Sequence, residues 1–525
     1  MTTTTDADLQ QTQPLRTGAG RRAHGQAPSA APPARKAPDA PSLGPDAEGS
    51  TEGEPGWGDR VAPGRPGAEN GSSLPVRHWA AGKMPWGAIG VVGAWIVALG
   101  IVAGAFAVAW RFVEPQRGKP YVYDEAAFAF AGHAVAETGI PLSNVGHMQT
   151  ETPGDFSQRF NWALWHPPLY VFTLGLAFRQ WGESETVARS VGIACNAVAA
   201  LLVFATATAV LWRETRAAPI FAAVGTAFYV TNPFVIQSAL LLDIDGTVLV
   251  LSIALLTFVY ILLLRSGQPL RRPSTWLLLG LATFAFALSL WAKMTTSLAL
   301  VGAATLYRLL ATRPWRPWRL LVDAPVIALG GAGLFLLTWA GASLALGMPF
   351  GLPFHILEAE LRDATGSSGA WRENPRLLLE MVSYVALWVS PYVIGLFAWA
   401  GLSRAADLIG QPFVALWRRL RRVSGPGQRW GAGALDFVLL SGAVIGAAYL
   451  IKLAASFPKY HISMMPFCAI ALAYLLARFV PRLVWWELPV YGVVLAGMAG
   501  YFVTFVGDRY VLFRGYDFLF PLLVW

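Results

Sequence analysis

Cysteine is nearly absent from this chain of 525 residues, with Cys195 and Cys468 alone, each inside an apolar run. Two such deep thiols argue against a disulfide framework and against a cysteine-rich zinc site. Charge is also scarce. Asp, Glu, Lys and Arg make up 14% of the chain, where a soluble protein carries roughly a quarter. No ionisable residue falls at the centre of a long apolar run, where ion-coupled transporters keep their charge; Asp323, Asp436 and Glu487 lie near run ends. The net charge of +9 does not point to nucleic acid. Residues 1–83 hold nine basic and nine acidic residues, so the whole surplus sits in the apolar remainder. Lysine is rarest of all there: of 31 basic residues after position 83, only Lys119, Lys293, Lys452 and Lys459 are not arginine.

What is present is apolar surface, 55% of the residues. Several uncharged runs exceed the roughly 18–20 residues that cross a bilayer. The first, Met84 to Trp110, reads as an uncleaved anchor, since secretory signals start earlier and have shorter apolar cores. Further spans are expected near 188–212, 217–235, 247–264, 274–291, 294–310, 321–346, 380–402, 433–453, 461–479 and 484–506. The fold class is therefore an all-α polytopic membrane protein of about eleven spans (residues 84–525). Ahead of it, residues 1–83 carry 11 Pro and 12 Gly, with Trp57 and Trp79 as their only aromatics. Such a segment cannot bury enough apolar surface to offset chain entropy, and it reads as a disordered cytoplasmic tail.

Five connections (213–216, 265–272, 308–319, 404–429 and 478–482) hold 17 Arg in 55 residues. The positive-inside bias places them in the cytoplasm. The outer side then receives the first loop 111–187, the loop 347–379 and the C-terminal tail 507–525. Pro167 to Phe178 is apolar but too short to span, and it reads as a helix in the outer interface. A second interfacial helix is expected over 124–138, where Ala127, Phe128, Ala131, Ala134 and Val135 recur at helical spacing.

Charge gathers on that outer side: Asp124-Glu125, Asp243-Ile244-Asp245-Gly246, Lys293, Lys452, and Lys459-Tyr460, with all four lysines among the outer positions. Lysine and arginine are not interchangeable at anion sites, so the partition suggests phosphate binding, with snorkelling anchors as the plainer alternative. His166-Pro167-Pro168 suits a helix start, which favours anions. Arg189 heads the second span on the outer side, against the charge bias, as a phosphate contact or a loop anchor. Asp243 and Asp245 are open to contact with an acceptor or, together with Asp124, with a divalent cation; a solvated loop-capping pair explains them as well. His355, Glu358 and Arg362 share a helical face that a surface helix also explains.

The stretch from Tyr121-Val122-Tyr123-Asp124-Glu125, through Gly139 and Pro141, to Trp165-His166-Pro167-Pro168-Leu169-Tyr170 resembles the first outer loop of the GT-C glycosyltransferases. That loop is found in protein O-mannosyltransferases and in the aminoarabinose transferase family. Leu290-Trp291-Ala292-Lys293, and Lys459-Tyr460 before Pro466, are similar to later segments of the same enzymes. His166 matches the mannosyltransferase branch, whereas that branch's Gly-Lys after the proline pair is replaced here by Tyr170-Val171. The resemblance implies a polyprenyl-phosphate sugar donor, an active site on the outer face, and a first-loop acid acting as base. Asp124 is the expected base, with Glu125, His166, Arg189, Lys293, Lys459 and Tyr460 as donor or phosphate contacts. One carboxylate to take the acceptor's proton and cations for the phosphate suffice, because a lipid phosphate leaves as a stable anion. No cofactor is required on this reading, and a divalent cation is an option. The partners are then membrane lipids, the donor lipid, and a glycan, lipid or protein acceptor. The arginine-rich usage points to a bacterial plasma membrane, with the N-terminus cytoplasmic and the C-terminus outside. A lipid-linked-sugar translocator, or an inactive scaffold of the same fold, is the alternative.

Overall fold

The computed structural model describes residues 90–121, 124–143, 161–163, 166–266, 273–311, 323–358, 389–420, 433–452 and 458–480, with Val493 and Gly497. The tail 1–83, most of the loop 347–379 with Arg362, most of the span expected at 484–506 with Glu487, and the C-terminal tail lie outside the described residues.

The described chain is helical apart from one short pair of strands. It runs α1 (Val91–Val113), α2 (Asp124–Thr138), β1 (Leu142–Ser143), β2 (Asn161–Trp162), α3 (Leu169–Trp181), α4 (Glu185–Leu211), α5 (Ala218–Thr231), α6 (Pro233–Leu240), α7 (Val250–Ser266), α8 (Pro273–Ala292), α9 (Met294–Ala311), α10 (Ala324–Leu346), α11 (Pro391–Leu420), α12 (Ala434–Lys452) and α13 (Met465–Phe479). Helices therefore stand at ten of the eleven positions expected to span. Seven stretches among the described residues are long and apolar enough to cross a membrane, and α5 with α6 makes an eighth if the bent pair counts as one span. Large apolar side chains such as Val92, Leu277, Leu329, Leu337 and Leu344 are exposed on α1, α8 and α10. That surface suits lipid, where backbone polar groups must be satisfied within the helices and apolar groups need no cover.

Local chemistry sets the breaks. Ser184 accepts a hydrogen bond from the Val187 amide at 3.2 Å and starts α4. Asn232 accepts from the Phe234 amide at 2.9 Å, and Pro233 opens α6, so the expected 217–235 helix is broken there into two pieces bent by 57°. α11 runs on to Leu420, through much of the connection expected over 404–429.

Helix α2 buries Ala127, Phe128, Ala131, Ala134 and Val135, the face its spacing marks, against α3. Phe128 and Tyr170 meet edge-on at 5.3 Å between these two helices. The strands pair antiparallel, Leu142 with Trp162 and Ser143 with Asn161, and draw together the ends of the loop between them.

Of the acidic charges near span ends, the two among the described residues, Asp323 and Asp436, are paired. Asp323 caps α10 and takes Arg308, while Asp436 receives Arg404 at 2.6 and 3.0 Å. Cys195 and Cys468 are buried and unbridged.

Candidate active site

Between α6 and α7 the chain turns through Asp243, Ile244 and a π-helical turn, Asp245–Leu249. Two close approaches make the turn possible. A Cβ on Gly246 would collide with the Ser238 carbonyl, and a Cβ on Gly192 would collide with the Ala239 carbonyl. Asn196 joins the two glycines: its amide donates to the carbonyls of Gly192, at 3.1 Å, and Gly246, while its oxygen accepts from the Tyr229 hydroxyl at 3.1 Å. The turn is thereby fixed on α4, and with it the two aspartates.

Each of those aspartates faces a lysine. Lys293, at the α8–α9 break, reaches both oxygens of Asp245 at 2.8 and 3.0 Å, and both residues are buried. Its ammonium also lies 4.2 Å from the ring of Tyr460, a cation–π distance. Lys459, in the 3-10 turn Pro458–Met464, lies 3.0 Å from Asp243 Oδ2 and 3.6 Å from Asp124 Oδ2. Burial works to raise the Asp243 carboxyl, but the ammonium groups of Lys459 and Lys293 outweigh it and hold it below the usual carboxylate range.

Asp124 is the first residue of α2, and its side chain is 26% exposed, the most open carboxylate of the group. Asp124, Asp243, Asp245, Lys293, Lys459 and Tyr460 thus form one cluster, although they lie on four separate stretches of chain. His166 comes three residues before α3. It lines a small cleft with Phe128, Pro168 and Tyr170 that borders the cluster through Ile244.

Glu125 and Arg189 take a different place from the phosphate contact expected of them. The guanidinium donates to Glu125 Oε1 at 2.8 Å and Oε2 at 3.0 Å, and both side chains are fully buried. Arg189 also donates to the carbonyls of Leu240, Lys119 and Pro120, and the Leu242 amide donates to Glu125 at 3.1 Å. The pair ties α2, α4 and the start of the Asp243 turn together. Anchoring, the second role open to Arg189, is the one its geometry fits.

Three residues near the cluster, Tyr449, Thr296 and His461, carry no signal in the sequence. Tyr449 of α12 stacks on Tyr460 at 5.9 Å, shares a hydrogen bond with Thr296, and packs against the buried His461. Tyr121 beside Arg189 is pushed up to about 12 by burial, with the Glu185 and Glu183 carboxylates adding to it.

Among the described residues no group of three or more His, Cys, Asp and Glu side chains is arranged to hold a metal ion. The carboxylates that the sequence offers to a divalent cation all face lysine ammonium groups, which a cation would have to displace.

The molecule is a multi-pass helical membrane protein with a lysine–carboxylate cluster opening at one partly exposed aspartate. No protein-family model matches the chain, and no curated protein does. Among solved structures it is similar to crystal structures of ArnT from Cupriavidus metallidurans. The one bound to undecaprenyl phosphate aligns at 17% identity and a TM-score of 0.47, covering 76% of this chain and 62% of that one. The apo form gives 17% and 0.46, covering 78% and 63%. The chain thus spans less than two thirds of the length of that protein.

Proposed function

We propose that this protein is a membrane glycosyltransferase that moves a sugar from a polyprenyl-phosphate donor to a hydroxyl acceptor at the outer face. The observation that carries the reading is the pairing of one open carboxylate, Asp124, with the Lys459 ammonium 3.6 Å away. The first-loop resemblance to GT-C enzymes supports the same assignment. In the reaction the acceptor oxygen attacks the anomeric carbon as Asp124 takes its proton. The bond from that carbon to the phosphate oxygen breaks, and the electron pair leaves with the lipid phosphate. Lys459 stabilises the departing anion, which matters more in a low-dielectric site than in water. Lys293 and Tyr460 support it from behind, Glu125 and Arg189 position α2, and His166 lines the approach to Asp124. A divalent cation is not needed for these steps. The N-terminus is cytoplasmic on this reading and the site faces outward.

Purified protein in nanodiscs, given labelled polyprenyl-phosphate sugars and cell-envelope extract, should transfer label in a manner that depends on Asp124. Failure with every donor tried would remove the reading.

One observation favours a second reading, lipid-linked-sugar translocation. The span α5–α6 is broken at Asn232–Pro233 and the Lys293–Asp245 pair is buried, features of helices that line transport paths. A donor that crosses the bilayer of proteoliposomes chemically unchanged would establish it.

A further inference from the structure

Lys459 has two carboxylates to choose from, and the nearer one cannot follow it. Asp243 Oδ1 accepts the Ile244 amide at 2.7 Å, which fixes the carboxylate on the turn while Oδ2 holds the ammonium at 3.0 Å. Lys293 is committed to Asp245 through both oxygens, and Arg189 to Glu125. Lys459, its side chain 10% exposed, is therefore the cation of the cluster best placed to meet an incoming anion. Among the described residues of the cluster, three carboxylates (Asp124, Asp243, Asp245) stand against two ammonium groups, an excess of one negative charge.

We propose that Asp243 competes with bound phosphate for the Lys459 ammonium, so that the site holds a phosphodiester in preference to a phosphomonoester. This deepens the transferase reading and rests on it for its purpose. The donor is a diester with one negative charge. The lipid phosphate that remains after transfer is a monoester with a second ionisation near pH 6 and close to two charges at neutral pH. When Lys459 turns to a ligand, Asp243 stays charged within a few ångströms, and the extra charge of the product is repelled most. Asp243 is then a positioning residue that hastens product release.

The test is equilibrium binding, in nanodiscs, of two probes: a short-chain polyprenyl phosphate and its methyl diester. The wild type at pH 7.5 should prefer the diester. At pH 5.5 monoester binding should tighten several-fold, while the diester measures whatever His166, His461 and the other titrating neighbours contribute. Asp243→Asn should tighten the monoester about tenfold more than the diester, as expected for removing one charge from a poorly screened site. Asp243→Glu should keep the preference, and Lys459→Met should weaken both probes. Equal tightening of the two probes in Asp243→Asn, or a monoester affinity in the wild type that ignores pH, overturns the proposal. If Asp243→Asn does not insert, the wild-type pH series and Asp243→Glu decide it. Because no transfer is measured, a protein that binds in this pattern yet transfers nothing sinks the transferase reading and leaves the charge discrimination standing.

Discussion

Arg189 and Glu125 form a two-pronged ion pair with no solvent exposure, at 2.8 and 3.0 Å, across 64 residues of sequence. Parallel guanidinium–carboxylate bonds fix geometry as well as charge. Here they set the first turn of α2, one residue after Asp124, against the second span and the carbonyls of Lys119, Pro120 and Leu240.

Glu125→Gln strands the Arg189 charge in the interior, which costs about 3–5 kcal/mol when one partner of such a pair is removed. The variant should show a lower unfolding temperature in detergent and weaker insertion. Arg189→Met combined with Glu125→Leu should recover much of that loss. If Glu125→Gln unfolds like the wild type but has lost donor binding, Glu125 belongs to the phosphate contacts after all.

Gly246→Ala tests how the aspartates are held. The added methyl collides with the Ser238 carbonyl, which is backbone and cannot swing aside. Overpacking of this kind costs about 1–3 kcal/mol. The turn carrying Asp243 and Asp245 must move, so donor affinity should fall along with stability. Gly280→Ala, where a Cβ meets nothing, serves as the control. Equal behaviour of the two variants would mean that the turn is not held at Gly246.

The helices at most of the expected span positions were legible in the sequence because uncharged runs of sufficient length have one solution in a bilayer. The non-spanning character of the Pro167–Phe178 run was legible for the complementary reason, and it lies within the short α3 and its entry. The buried face of α2 followed from spacing alone. The break at Asn232–Pro233 was signalled by a cap residue followed by proline, yet the apolar run through 235 masks it. The π turn at Asp245 and the Gly192–Asn196–Gly246 contact depend on helices brought together by tertiary packing, which no local pattern encodes. Asp124, Lys293 and Lys459 stood out by residue type. That Lys459 stands between Asp124 and Asp243, and that Arg189 is taken up by Glu125, depends on pairings across 64 residues or more.

Asp243 also gives acid stability a sign. Its folded-state pKa is depressed, since the lysine ammonium groups outweigh burial. The stabilisation it gives is therefore complete above the ordinary Asp value of about 3.9 and is lost as pH falls through the lower folded value. Thermal scans between pH 6 and 3 should show the wild type losing stability more steeply than Asp243→Asn at the acid end. Parallel curves would show that Asp243 carries no net ion-pair stabilisation.

Orientation is open to a direct measurement. The Arg-rich connections belong inside by charge bias, so cysteines placed in 421–429 of a chain lacking Cys195 and Cys468 should resist an impermeant thiol reagent in intact cells. Cysteines in 507–525 should react. Labelling of both segments would bring the C-terminus to the same side as the connection and remove the odd number of spans.

Asp124→Asn is the substitution on which the mechanism depends. The side chain opens α2 with 26% of its surface exposed, beside the Lys459 ammonium, whereas that of Glu125 is fully buried. Asparagine keeps the shape, can still serve at a helix start, and removes the proton acceptor. Transfer should fall by about 10²- to 10⁴-fold, the usual cost of losing a general base. Donor binding should hold or tighten slightly, because one of the two carboxylates beside Lys459 is neutralised. The unfolding temperature should change little, in contrast to Glu125→Gln, so the two neighbours separate by stability as well as by rate. Steady-state assays with the donor varied, run beside thermal scans of the same preparations, make the comparison. A kcat within threefold of the wild type in Asp124→Asn would leave the proton to another group and withdraw Asp124 from the chemistry.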